Sequence, residues 1–227
     1  IDPTQHPSAI NLAHYLALRH VELRQLQERL ARIGVSSLGR AETHVLANVD
    51  KVLGIARALK MERLYCPYLM PEDRPTDAAG WTAFGARLQK AGAPYKAAGY
   101  GFGWHNHDFE FKPLADGSIP QDRLFEGGPG LEWEMDVAWV IRGGADPLAW
   151  IARYKDRITA AHVKDIAPEG ENADEDGWSD VGHGTVDWKA ILAALRKIGV
   201  RHLVMEHDNP KEDARFASRS IASVKAF

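Results

Sequence analysis

Gly101-Phe102-Gly103-Trp104-His105-Asn106-His107 passes from small and apolar residues into a pair of histidines. The run has the length of one β-strand, with its polar cluster at the carboxyl end. The same plan recurs in Glu134-Met135-Asp136, His162-Val163-Lys164-Asp165 and Glu206-His207-Asp208, each closing an apolar run. The clusters fall roughly 26 to 44 residues apart, about one strand-helix repeat. Imidazoles and carboxylates spaced in this way meet at one rim of a parallel barrel, the C-terminal mouth where (β/α) barrel enzymes carry their chemistry.

The surrounding sequence fits that plan. Short apolar runs at 63–68, 101–106, 131–136, 158–163 and 202–206 predict five strands. Helical segments are expected near 76–93, 146–154, 188–198 and 211–226, the alternation of a parallel α/β fold. Asp146-Pro147 supplies an N-cap and a first-turn proline, and Asp187 caps a helix that stops at Gly199. Between strand and helix, residues 165–183 read as a long acidic loop, solvated or acting as a lid. Before residue 62 the texture is helical: Leu16, Leu23, Leu26, Leu30 and Ile33 mark a helix over 8–33, and Val45, Val49, Val52 and Leu59 a second. The chain therefore divides into a helical N-terminal segment, 1–52, and a barrel portion, 53–227.

Composition excludes several classes. The 227 residues are 45% hydrophobic and 26% charged with a formal charge of -3, ordinary for a globular protein able to bury a core. No basic stripe interleaved with aromatics is present, so nucleic acid is not an expected partner. No apolar run is long enough to span a membrane and no signal-peptide pattern opens the chain, so a cytoplasmic location is expected. The single cysteine, Cys66, excludes an internal disulfide and reads as a buried thiol.

Residues two apart on a strand share a face, so His105 aligns with His107, Glu134 with Asp136, and His162 with Lys164. Neutral imidazoles with carboxylates form an N/O ligand set suited to Mn, Mg, Zn or Co. A single strand-end histidine is more often scaffolding than a ligand; four clusters at equivalent positions favour a site. His183 sits in Gly182-His183-Gly184-Thr185, where glycine permits close approach to a ligand, and Trp104, Trp133, Trp139 and Trp178 offer faces for a sugar ring or ordinary packing.

The five motifs, in order, are Gly101 through Phe111, Glu134-Met135-Asp136-Val137-Ala138-Trp139, His162-Val163-Lys164-Asp165, Gly182 through Trp188 and Met205-Glu206-His207. Together they resemble the sugar phosphate isomerase/epimerase family of xylose isomerase-like TIM barrels, over residues 53–227. The resemblance implies one divalent metal, with Asp136, His162 and Glu206 in three ligand positions. Where many members carry Glu-Asn-His, this chain has His105-Asn106-His107, which puts His105 in the first ligand position and leaves Glu134 as a neighbouring carboxylate.

The implied reaction is isomerisation or epimerisation of a sugar or polyol by proton abstraction beside a carbonyl. Glu206 or His107 would act as base, with Glu134 as a further acid-base group and Lys164 steadying the developing oxyanion. Trp104, Trp139 and His183 would bind substrate. Two alternatives stay open: dehydration at the same site, and a non-catalytic binding or assembly module built from an incomplete barrel. Residues 1–52 resemble an N-terminal region of bacterial pyruvate kinase-like proteins. With 35–38 as a possible sixth strand, the barrel is expected to be incomplete, its open edge covered by the N-terminal helices or a second subunit.

Overall fold

The computed structural model describes residues 49–227. The expected helix over 8–33 and the possible strand at 35–38 lie outside the described residues. The second expected helix is seen as α1, Val49–Ala58.

The centre of the molecule is a five-stranded, wholly parallel sheet of β1 (Arg63–Cys66), β2 (Gly101–His105), β3 (Glu132–Asp136), β4 (Ile158–Val163) and β7 (His202–Met205), neighbours in that order. Each of the five expected strands is present within two residues of its expected bounds. Helices connect them: α2 (Ala78–Ala97), α3 (Pro120–Gly127), α4 (Val137–Arg142), α5 (Pro147–Arg153), α6 (Trp188–Lys197) and a closing α7 (Asp213–Ala226). This is an incomplete barrel in which β1 and β7 are each paired on one side only, among the described residues.

Alternation along the strands separates two environments. Phe102, Trp104, Trp133, Met135, Ala161 and Val163 are buried in the hydrophobic core with Phe84, Leu88 and Tyr95 of α2 and Leu192 of α6. The intervening residues carry polar groups. Toward the amino ends of the strands, Arg63 pairs with Glu132 at 3.0 Å, and Thr159 joins Glu132 to the Tyr65 hydroxyl. Room for that network comes from Gly101, where a Cβ would stand 2.6 Å from the Glu132 carboxylate.

Two helices were not anticipated. The Asp136 carboxylate accepts from the Trp139 amide at 2.9 Å, so β3 passes directly into α4 with no loop to mark the change. Helix α3 begins at Pro120 after Ile119, which gives no side-chain cap. Helix α2 runs past its expected end and through Pro94, because buried Ala91 and Tyr95 anchor both sides of the proline. The acidic stretch after β4 is more ordered than a simple loop: β5 (Asp165–Ile166) pairs antiparallel with β6 (Trp178–Ser179). Its acids are not all solvated either, since buried Glu175 accepts from Arg215 at 2.7 Å and buried Asp180 from Arg215 and Arg219. Cys66 is buried, as expected.

Candidate metal and acid-base site

Parallel register assembles the site. His105 lies opposite Glu134, and Asp136 opposite His162, so the four side chains come together at the carboxyl ends of three adjacent strands. Val163 pairs with Met205, which brings Lys164 and Glu206 just beyond it. Asn106 fastens β2 to β3: its Oδ1 accepts from the Asp136 amide at 2.9 Å and the Trp133 indole at 2.8 Å, and its Nδ2 donates to the Asp136 carbonyl.

At the centre stands the His162 ring, 1% exposed. Its Nδ1 is 2.7 Å from Glu206 Oε2, and its Nε2 is 3.3 Å from Glu134 Oε2. Burial alone would lower the His162 pKa, but Glu206 and Glu134 hold it well above the usual histidine value. The carboxylates respond in kind. Burial pushes Glu134 up, yet His162 and His105 bring it down to about 2, and Lys164 and His162 hold Glu206 well below the usual range.

One atom each from His105, Asp136 and His162 lie within 4.8 Å of one another, and all three residues are buried. Two buried atoms of this group, His105 Nδ1 and Asp136 Oδ2, make no hydrogen bond. His105 Nδ1 is 3.3 Å from Glu134 and Asp136 Oδ2 3.2 Å from the Lys164 ammonium, neither in hydrogen-bonding geometry. Leaving buried polar atoms without a hydrogen bond is costly. A divalent ion would satisfy both, and the two-imidazole, one-carboxylate set suits it.

An aromatic wall stands beside this group. His107 meets Tyr68 edge-on at 4.8 Å and packs 5.4 Å from Trp139, which meets Trp178 at 4.8 Å. The Arg142 guanidinium lies 3.2 Å over the Trp178 ring, so the β5–β6 segment contributes one side of the site. Burial and the charges of His105 and Lys164 hold the His107 pKa well below the ordinary value, and its Nδ1 is unpartnered. The ring is therefore neutral near pH 7.

Of the expected site residues, His105, Glu134, Asp136, His162, Lys164 and Glu206 form one cluster, with His107 and Trp139 beside it. Trp104 is elsewhere: fully buried on the helix-facing side of β2, it meets Phe84 edge-on and donates to Glu110. His183 is exposed. The glycines flanking it serve a carboxylate of the chain itself, because Asp165 accepts from the amides of Ile166, Gly182, Gly184 and Val186, and a Cβ on Gly184 would lie 2.2 Å from its Oδ1. Asp208, of the run Glu206-His207-Asp208, joins the site through Lys164. Two neighbours of the site carried no signal in the sequence: Tyr68 lies just beyond β1, and Glu110 in a short 3-10 helix, Phe109–Phe111, beside His107.

Glu110 yields a pH prediction. Burial pushes its carboxyl up to about 8, while the Trp104 indole and His107 amide donate to its two oxygens. Its folded-state pKa exceeds the ordinary carboxylate value, so its contribution is greatest in acid and is lost as pH rises toward about 8. Glu110→Gln sacrifices one hydrogen bond at every pH but cannot titrate. Urea unfolding should show the stability of the wild type, relative to the variant, falling by one to a few kcal/mol (roughly) between pH 5 and pH 8.5. A difference that does not change with pH would refute the titration of Glu110.

Known structures share this architecture. A sugar phosphate isomerase/epimerase from Parabacteroides distasonis superposes with a TM-score of 0.66 at 21% identity, over 83% of this chain and 64% of that one. The IOLI protein with a binding zinc atom gives 0.61 at 14% identity, over 78% and 66%. The probable 3-DHS dehydratase AsbF from Bacillus anthracis gives 0.58 at 13% identity, over 78% and 67%. The chain has the fold of these barrels. It spans under two thirds of the first structure's length. No family model matches the sequence, and no curated protein matches it. The resemblance of residues 1–52 to pyruvate kinase-like proteins is not borne out. No described helix is long and apolar enough to cross a membrane.

Proposed function

We propose that the chain carries the site of a divalent-metal-dependent isomerase or epimerase, acting on a sugar or polyol by moving a proton next to a carbonyl. The observation that carries this reading is the buried His105, Asp136 and His162 group with its two unsatisfied ligand atoms, flanked by carboxylates on both edges of the His162 ring. His105, Asp136 and His162, with Glu206 beside them, would hold the ion. A bound ion of this kind polarises a carbonyl oxygen and acidifies the adjacent C–H.

The residues of the chain supply the rest. Glu206, held ionised by Lys164 and His162, takes the proton from carbon, and Glu134 is a second carboxylate able to exchange one. Lys164 presents a charge that opposes build-up on the substrate oxygen. Trp139, only partly buried, provides an apolar face for the C–H side of a ring, with buried Trp178 packed against it.

The second reading is dehydration. It is favoured by His107, whose unpartnered nitrogen sits on the aromatic wall as a neutral base separate from the two glutamates. Incubation with Mn2+ and a panel of keto sugars in deuterated water distinguishes the two. Isomerase or epimerase chemistry washes deuterium into recovered sugar, whereas dehydration produces an unsaturated product. Glu206→Gln should abolish wash-in while leaving the chain folded. Full activity in that variant would remove Glu206 from the role of base, and a metal-loaded protein inert toward every substrate would favour the non-catalytic module.

A further inference from the structure

Lys164 is only 1% exposed and meets three carboxylates. Its ammonium is 3.2 Å from Asp136 Oδ2, 2.9 Å from Glu206 Oε2 and 2.9 Å from each oxygen of Asp208. Trp139 and Trp178 close over it with ring centroids at 5.3 and 4.8 Å. A buried ammonium persists only when opposite charge surrounds it.

The three carboxylates are not equivalent. Asp136 belongs to the group fitted to a metal, and the Glu206 oxygen that meets the ammonium also binds His162. Asp208 contacts neither His105 nor His162, grips the ammonium with both oxygens, and has a side chain 36% exposed against 0% for Asp136 and 6% for Glu206. The lysine thus bridges the inner carboxylates and an outer one. The same Asp136 Oδ2 faces both a divalent ion's place and the ammonium, which it meets without hydrogen-bonding geometry.

We propose that Lys164 is an internal counter-ion for the carboxylates of the ligand set, one that competes with a divalent ion for Asp136 and Glu206 and is retained by Asp208 when the ion binds. This inference rests on the metal-dependent reading above and goes beyond it, because it makes metal affinity a balance between two cations with Asp208 as the setting. Removing the ammonium removes repulsion between like charges a few ångströms apart in a buried site. Removing Asp208 forces the ammonium back onto the inner carboxylates.

Calorimetric titration of Mn2+ into the full chain tests this without reference to turnover. K164M should bind Mn2+ at least roughly tenfold more tightly than wild type, and D208N several-fold more weakly. In the K164M/D208N double variant the effect of D208N should shrink to less than half on a logarithmic scale, because no ammonium remains to be displaced. A simple loss of negative field would persist undiminished in that background, and this result would overturn the proposal. So would K164M binding Mn2+ no more tightly than wild type. Should K164M fold only with Mn2+ present, the divalent ion is replacing the missing cation, as proposed, and D208N still decides: unchanged or tighter binding overturns the idea. Wild-type protein that binds no Mn2+ refutes the metal reading itself; wild type that binds while K164M is unchanged refutes only the role of Lys164.

Discussion

Asp136→Asn should leave the sheet intact and reduce divalent-metal affinity by about two orders of magnitude or more, with turnover lost in step. The Asp136 carboxylate has two tasks on separate oxygens. Oδ1 caps α4 by accepting from the Trp139 amide, and Oδ2 points to the His105 and His162 group with no hydrogen bond. Asparagine retains an oxygen for the cap, so that bond is kept; the stability lost is that of the charge 3.2 Å from the buried Lys164 ammonium, which Glu206 and Asp208 still neutralise. The amide that replaces Oδ2 brings no negative charge and presents N–H to an ion, where a hard cation requires oxygen. Equilibrium dialysis with Mn2+ or Zn2+, beside a circular dichroism melt, separates the two tasks. Wild-type affinity in the folded variant would show that Asp136 is not a ligand.

Gly103→Ala should cost about 3 kcal/mol or more, among the largest losses from any single methyl group in this chain. The Cβ would stand 2.1 Å from the Glu132 carbonyl oxygen and 2.5 Å from its carbon. Both atoms belong to the backbone of the adjacent central strand, so no side chain can swing aside, and β2 and β3 must separate. That separation would also misplace His105 against Glu134, two pairs farther along the same ladder. Gly54→Ala in α1 is the control: nothing lies within 4 Å of its Cβ, and alanine there should be neutral or stabilising by up to about 1 kcal/mol. Urea midpoints for the two variants check the contrast. If Gly103→Ala unfolds at the wild-type midpoint, the close packing of these strands is refuted.

Four of the strands were legible as short apolar runs closed by a polar cluster, and β1 as a short apolar run alone, since a buried parallel strand needs little more. What was not legible depended on contacts made across the sheet. Helix α4 is started by a carboxylate that also serves the site, a double use that leaves no turn signal. The acidic segment after β4 folds back because Arg215 and Arg219 of α7 reach its buried acids from 35 to 40 residues away. The glycines around His183 suggested a bound ligand, but their close neighbour is Asp165, and no local pattern reveals which carboxylate a loop will enclose.

The same division holds for the site. By itself the sequence determined the inventory of imidazoles and carboxylates and their parity, because residues two apart on a strand share a face whatever the strand is paired with. Parity cannot say which clusters become neighbours. That was decided by the order β1-β2-β3-β4-β7 and its register, which set Asp136 opposite His162 and brought Glu206 to the Nδ1 of the same ring. Tertiary structure alone also surrounded Lys164 with three carboxylates, and Coulomb interactions in a buried space depend on distances that chain order does not encode.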